Sequence, residues 1–256
     1  LLVECLINQG VDKIYGVPGE SYLSVLDALY DFSNKINFIS TRHESAASFM
    51  AEAYGKLTGE VGICFVTRGP GATNASIGVH TAMQNSSPMV LFIGQIGRDM
   101  TEREAFQEID YKAYFGSISK WVVQVNNADR LPEIIGRAFS MALSGRPGPV
   151  VVSLPEDMLR DLTSAVAINK IQKTCAEISV TQVNLIKDEL EKSKKPLIIC
   201  GGGGWSDIGR DYLKRFAESV NIPVICGFRN QDLMDTNSFA YVGDTTLQDS
   251  PKRCWS

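Results

Sequence analysis

The stretch Val61-Gly62-Ile63-Cys64-Phe65-Val66 runs directly into Thr67-Arg68-Gly69-Pro70-Gly71-Ala72-Thr73-Asn74. Six mostly apolar, β-forming residues read as a strand. The glycine and proline cluster reads as punctuation, and the small residues from Ala72 to Met83 as a helix. A strand apolar on both faces, followed at once by a helix, is the start of a βαβ unit in a buried parallel sheet.

The same alternation extends outward. Residues 1–9 read as a helix ended at Gly10, followed by a strand near Ile14 and Tyr15 and the turn Gly16-Val17-Pro18-Gly19. A helix from Tyr22 to Tyr30, a strand from Ile36 to Ile39 and a helix from Glu44 to Lys56 come next. After the central stretch a strand covers Met89 to Ile93 and ends at Gly94-Gln95, while residues 97–114 are polar and aperiodic and read as a long loop. A helix at Leu131 to Leu143 and a strand at Val150 to Ser153 close the unit. Residues 155–178 carry little pattern and read as a linker or crossing chain. Beyond it a second strand and helix series begins: a helix at Val183 to Glu191, a strand at Pro196 to Cys200, four glycines at 201–204, a helix at Ile208 to Val220 and a strand at Pro223 to Cys226. The expected fold class is α/β, a parallel sheet flanked by helices followed by the start of a second Rossmann-like α/β domain. The expected division is a first domain at 1–160, a linker at 161–178 and a partial second domain at 179–256.

Composition narrows the partners. The 256 residues are 44% hydrophobic and 21% charged with a net charge of −4, the balance of a folded globular protein. Lys and Arg are scattered, so no basic stripe follows a phosphate backbone, and nucleic acid is not an expected partner. No apolar run approaches the roughly 20 residues of a membrane span, and no export signal opens the chain, so a cytoplasmic protein is expected. The six cysteines, Cys5, Cys64, Cys175, Cys200, Cys226 and Cys254, form no C-x-x-C pair and read as reduced, mostly buried thiols. With only His43 and His80, a zinc cluster is not supported. The absence of an initiator Met and the unpatterned residues 249–256 make both ends read as cuts in a longer enzyme.

In a parallel sheet, ligands gather at the carboxyl ends of the strands. Glu44 follows Arg42-His43 after one such strand and opens a helix, where free N–H groups and the dipole favour a charged or hydrogen-bonded ligand atom; an ordinary acidic helix start has the same appearance. Gly69 and Gly71 either let a flat ligand lie against the backbone or serve a tight turn that needs glycine geometry. Thr73 and Asn74 offer donors and acceptors, but the Lys-Ser or Lys-Thr ending of a phosphate loop is absent. The segment holding Arg98, Arg103, Phe106, Gln107, Glu108, Asp110 and Tyr111 is long enough to be held over a crevice. The glycines at 201–204 lack the spacing of a firm dinucleotide motif.

Together, Gly16-Val17-Pro18-Gly19, Arg42-His43-Glu44, Gly69-Pro70-Gly71-Ala72-Thr73-Asn74, Gly94-Gln95, Ala105-Phe106-Gln107-Glu108, Gly145-Arg146-Pro147-Gly148-Pro149-Val150 and Leu154-Pro155 resemble the thiamine-diphosphate enzymes of the acetolactate synthase type. The resemblance covers nearly the whole chain and departs at Arg68, where the synthases usually have a small residue, and at His80 and Gln84. It implies a pyrimidine-binding domain followed by part of a central domain. It implies that Glu44 hydrogen-bonds the cofactor pyrimidine and promotes loss of the thiazolium C2 proton. By the same resemblance Gly19, Glu20, Gly69, Gly71 and Asn74 line the cofactor crevice, and Phe106 and Gln107 the substrate region. It further implies a 2-keto acid substrate, a homo-oligomer, and Mg2+ bound with the diphosphate by a third domain whose Gly-Asp-Gly motif this chain does not show. FAD is a further expectation, since some members hold it in the central domain. Alternatives are an oxalyl-CoA or other 2-keto acid decarboxylase and a non-catalytic α/β ligand-binding subunit.

Overall fold

The computed structural model describes residues 1–174 and 176–246, and the chain divides into two compact units after Thr174. The first unit is built on six strands: β1 (Lys13–Gly16), β2 (Asn37–Ser40), β3 (Gly62–Val66), β4 (Met89–Gln95), β5 (Trp121–Gln124) and β6 (Pro149–Pro155). They form one sheet in the order β2-β1-β3-β4-β6-β5, and every pairing is parallel. Helices α1 (Leu2–Asn8), α2 (Leu23–Asp31), α3 (Glu44–Thr58), α4 (Gly69–Asn85), α5 (Tyr111–Phe115) and α6 (Leu131–Leu143) supply the remaining layers.

Each residue of β3, β4 and β6 is buried, as continuous apolar runs require when helices cover both faces. One face packs Phe65, Phe92 and Val152 against α1, α2 and α6; the other packs Cys64, Leu91 and Val151 against α3, α4 and α5. Phe65 and Phe92 stack with ring centroids 4.6 Å apart. Cys5, Cys64, Cys200 and Cys226 are free and buried, as expected, and burial pushes the Cys64 thiol well above its ordinary range. Cys175, Cys254 and residues 249–256 lie outside the described residues.

Three readings change. The glycine cluster after β3 is the first turn of α4, which starts at Gly69 with Pro70 in that turn, where its missing N–H costs no helical bond. The segment 97–114 is not wholly irregular, because it contains the start of α5, capped by Asp110 accepting from the Ala113 N–H at 3.0 Å. Strand β5 was not expected; four residues at a sheet edge leave no period to read.

Pro155 is the last residue of β6. Beyond it, Ile168 and Ile171 pack on the first unit's core. There the Gln9 amide donates to the Asn169 carbonyl at 2.9 Å and accepts from the Ile171 N–H at 3.0 Å.

The second unit contains α7 (Val180–Lys192), β7 (Ile198–Cys200), α8 (Asp207–Val220), β8 (Val224–Cys226) and β9 (Tyr241–Asp244). Its three strands are parallel in the order β7-β8-β9. Helix α7 opens with a capping box between Ser179 and Gln182, and Ser206 caps α8 through the Gly209 N–H. Among the described residues no helix is long and apolar enough to cross a membrane.

Candidate functional site

Chain order reverses across β1 and β3: from β1 the chain moves outward to β2, and from β3 it moves to β4 on the other side. A crevice must open outside the carboxyl ends of the strands at such a switch point. The segments leaving it are Val17 to Tyr22 after β1 and Thr67 to Gly71 after β3. They are tied together: the Ser21 and Thr67 hydroxyls lie 2.8 Å apart, and a Cβ on Gly19 would stand 2.6 Å from the Thr67 Cβ. The Tyr22 hydroxyl donates back to the Val17 carbonyl.

Glu44 is the first residue of α3. The His43 ring caps that helix by accepting from the Ser45 N–H at 3.2 Å, so the helix start is satisfied without the Glu44 carboxylate. Glu44 is half-buried, and one of its oxygens accepts from the Asn74 amide at 2.9 Å. The other lies 3.4 Å from where a Gly71 Cβ would stand. Glu44, Gly71 and Asn74 therefore meet although they come from two helices and are separated by up to 30 residues.

Neither Gly69 nor Gly71 adopts the left-handed backbone, so a glycine-only turn geometry does not explain them. Space does. A Cβ on Gly69 would fall 2.8 Å from the Gln107 carbonyl oxygen, and one on Gly71 3.1 Å from the Thr67 methyl. The Gly69 N–H donates to that same Gln107 carbonyl at 3.0 Å, which fastens the long segment over the turn. Gln107 holds a positive φ of 66°, an uncommon backbone for a residue with a side chain. Glu108 secures the segment from within by accepting from the Glu102 and Ala105 N–H groups at 2.7 and 3.0 Å. Phe106 is left 73% exposed, the one large apolar side chain of this segment so openly presented. Arg98 is turned to structural use, paired with Asp157 at 2.7 Å and Asp161 at 2.9 Å. His80 is exposed on α4.

The residue that sequence reasoning did not place is Arg68. Its guanidinium is buried and paired with Glu20 at 3.0 Å and Glu156 at 2.8 Å, linking the chain after β1, β3 and β6. Its Nε and the Tyr111 hydroxyl are buried without a partner. Burial pushes the Tyr111 phenol upward, opposed by the Arg68 charge. No local pattern announces these pairings, which span 48 and 88 residues.

Among the described residues no group of three or more His, Cys, Asp or Glu side chains could hold a metal ion. In the second unit, Gly202 and Gly204 have φ of 77° and 84°, and a Cβ at Gly201, Gly202 or Gly204 would meet open space.

A parallel sheet with a half-buried carboxylate and a glycine-lined turn at its switch point defines a class of α/β cofactor-binding domains. The chain belongs within that class to the thiamine pyrophosphate enzyme family: residues 1–114 match the "Thiamine pyrophosphate enzyme, N-terminal TPP binding domain" and residues 183–253 the "Thiamine pyrophosphate enzyme, central domain". It is similar to the acetolactate synthase isozyme 3 large subunit of Escherichia coli, with 36% identity over 232 residues, 88% of this chain and 40% of that protein. The acetolactate synthase large subunit of Buchnera aphidicola subsp. Schizaphis graminum is 38% identical over 230 residues, with the same coverage. The mitochondrial acetolactate synthase catalytic subunit of Saccharomyces cerevisiae is 35% identical over 259 residues, 94% of this chain and 37% of that protein. The chain thus spans about 40% of the length of these curated relatives.

Proposed function

We propose that this chain is the pyrimidine-binding domain and part of the central domain of a thiamine-diphosphate-dependent carboligase acting on 2-keto acids, in the manner of acetolactate synthase. The observation that supports this reading most is the Glu44 carboxylate, held by Asn74 at a helix start and facing the bare Gly71 backbone.

The residues fit the pyrimidine half of the cofactor. A Cβ at Gly71 would fill the space beside the Glu44 carboxylate, 3.4 Å from its oxygen, so its absence leaves room for a flat ring against the backbone. Bound thiamine diphosphate would supply a carbon acid whose conjugate base is the nucleophile toward a keto carbon, and an electron sink for loss of carbon dioxide. Glu44 would exchange a proton with a ring nitrogen of the bound cofactor through its free oxygen, and Asn74 fixes the side chain by its other oxygen. Gly19, Glu20 and Gly69 border the crevice, while Phe106 and Gln107 line the side from which substrate enters. Under this reading Mg2+ and the diphosphate are held by a domain beyond this chain, the site is completed by a second copy in a homo-oligomer, and residues 161–178 connect the two domains. FAD would belong to the second unit, where the glycines at 201–204 are open.

Two experiments test the proposal. Titration of this segment with thiamine diphosphate and Mg2+ is expected to show weak binding and no turnover, and tight one-to-one binding contradicts the division of the site. Product analysis with pyruvate in the whole protein is expected to give a condensed hydroxy-keto acid. Acetaldehyde alone would make it a decarboxylase, and a flavin absorbance band decides whether FAD is present.

A further inference from the structure

Arg68 stands directly before Gly69, the first residue of α4. Its side chain is 9% exposed, while its partners Glu20 and Glu156 are 69% and 38% exposed and reach toward solvent at the strand ends. One guanidinium against two carboxylates leaves the cluster with a single net negative charge. The arrangement is a poor stability device, because a buried Nε with no acceptor costs free energy that a small or apolar residue would not. Its effect on the crevice is electrostatic. Without the guanidinium, two uncompensated carboxylates would stand at the mouth that an anionic substrate must pass.

We propose that Arg68 is a charge-balancing, positioning residue that neutralises Glu20 and Glu156 at the crevice mouth and thereby sets the affinity for the anionic 2-keto acid. This inference rests on the proposed reading of the site as one for 2-keto acids. Arg68 touches neither cofactor nor reacting atoms in this role; it acts through the two carboxylates. The exposed rim of the cluster is the Glu20 carboxylate, and the guanidinium beneath it is fixed by its second pair to Glu156.

The test uses the whole protein loaded with thiamine diphosphate and Mg2+ and measures carbon dioxide release against pyruvate concentration at low and high salt. Arg68→Gln keeps most of the packing and removes the charge; KM for pyruvate is expected to rise about 3- to 10-fold at low salt, the effect of one added unit charge several ångströms away in a solvent-penetrated cleft, with kcat nearly unchanged. The rise should shrink at high salt, since exposed charges are screened. Arg68→Gln/Glu156→Gln restores the net charge of the cluster and should return KM toward the wild-type value. Glu20→Gln spares the buried packing and should lower KM, so the proposal remains exposed to disproof if Arg68→Gln does not fold. An unchanged KM in both folded single variants overturns it, as does a rise that ignores salt and is not rescued, which marks a purely structural role. If the loaded wild type decarboxylates no 2-keto acid, the reading of the reaction falls, and this role falls with it. Turnover with unaltered KM in the variants removes the charge-balancing role alone.

Discussion

The two units present sheets of the same parallel kind in very different surroundings. In the first, β3, β4 and β6 are covered on both faces, and Phe65, Phe92, Ile63 and Leu91 are all but inaccessible. In the second, Ile199 in the middle of β7 is 67% exposed, and helix α7 buries no residue although Val183, Leu185 and Ile186 lie along it. Among the described residues its core is the small cluster of Cys200, Ala217, Val224, Cys226, Leu233, Met234 and Ala240. A strand-forming sequence therefore does not by itself make a strand part of a core. The helices laid across it decide that, and with them how precisely a strand end can hold a functional side chain.

The sharpest way to break this contrast is a pair of truncations. Phe65→Ala removes a ring stacked on Phe92 and tilted against Tyr22 and should cost about 3–5 kcal/mol in urea unfolding, since the cavity cannot refill. In this segment Ile199→Ala takes away mostly solvent-facing surface and should change its stability by less than about 0.5 kcal/mol. Equal losses at the two sites would show that β7 is as well covered as β3. A smaller effect sharpens the boundary between the units. Residues 168–171 are hydrogen-bonded to α1 and packed on the first core, so trypsin should cut after Lys173 before it cuts after Lys170. Preferred cutting after Arg160 or Lys170 would show that the start of the 161–178 linker, rather than its end, is the flexible connection.

Much of this was legible in the chain, for identifiable reasons. The runs at 61–66 and 89–93 are apolar at nearly every position, so their burial followed from composition alone. The strand ends put Glu44, Gly69, Gly71 and Asn74 forward only as candidates, beside an ordinary acidic helix start and a tight turn, and the family resemblance chose between those readings. The strand order was not legible, because β6 inserts between β4 and β5 through contacts with no local signature. Strands β5 and β9, four residues each, are too short to show a period. The Arg68 cluster was hidden for a different reason. Glu20, Arg68 and Glu156 each look like ordinary loop charges, and only the closure of the sheet brings them within 3.0 Å.

The central claim is that Glu44 exchanges a proton with the cofactor pyrimidine. In the whole protein, Glu44→Gln retains the size and the hydrogen bonding of the side chain toward Asn74 but removes the exchangeable acid. Loss of a positioned acid-base group typically lowers a rate by about 100- to 10,000-fold. The direct measurement is the rate of C2 proton exchange on bound thiamine diphosphate, followed by NMR in deuterated solvent for wild type and variant at equal cofactor occupancy. A fall of that size in Glu44→Gln is the predicted result; an unchanged exchange rate in a folded, fully loaded variant contradicts the assignment.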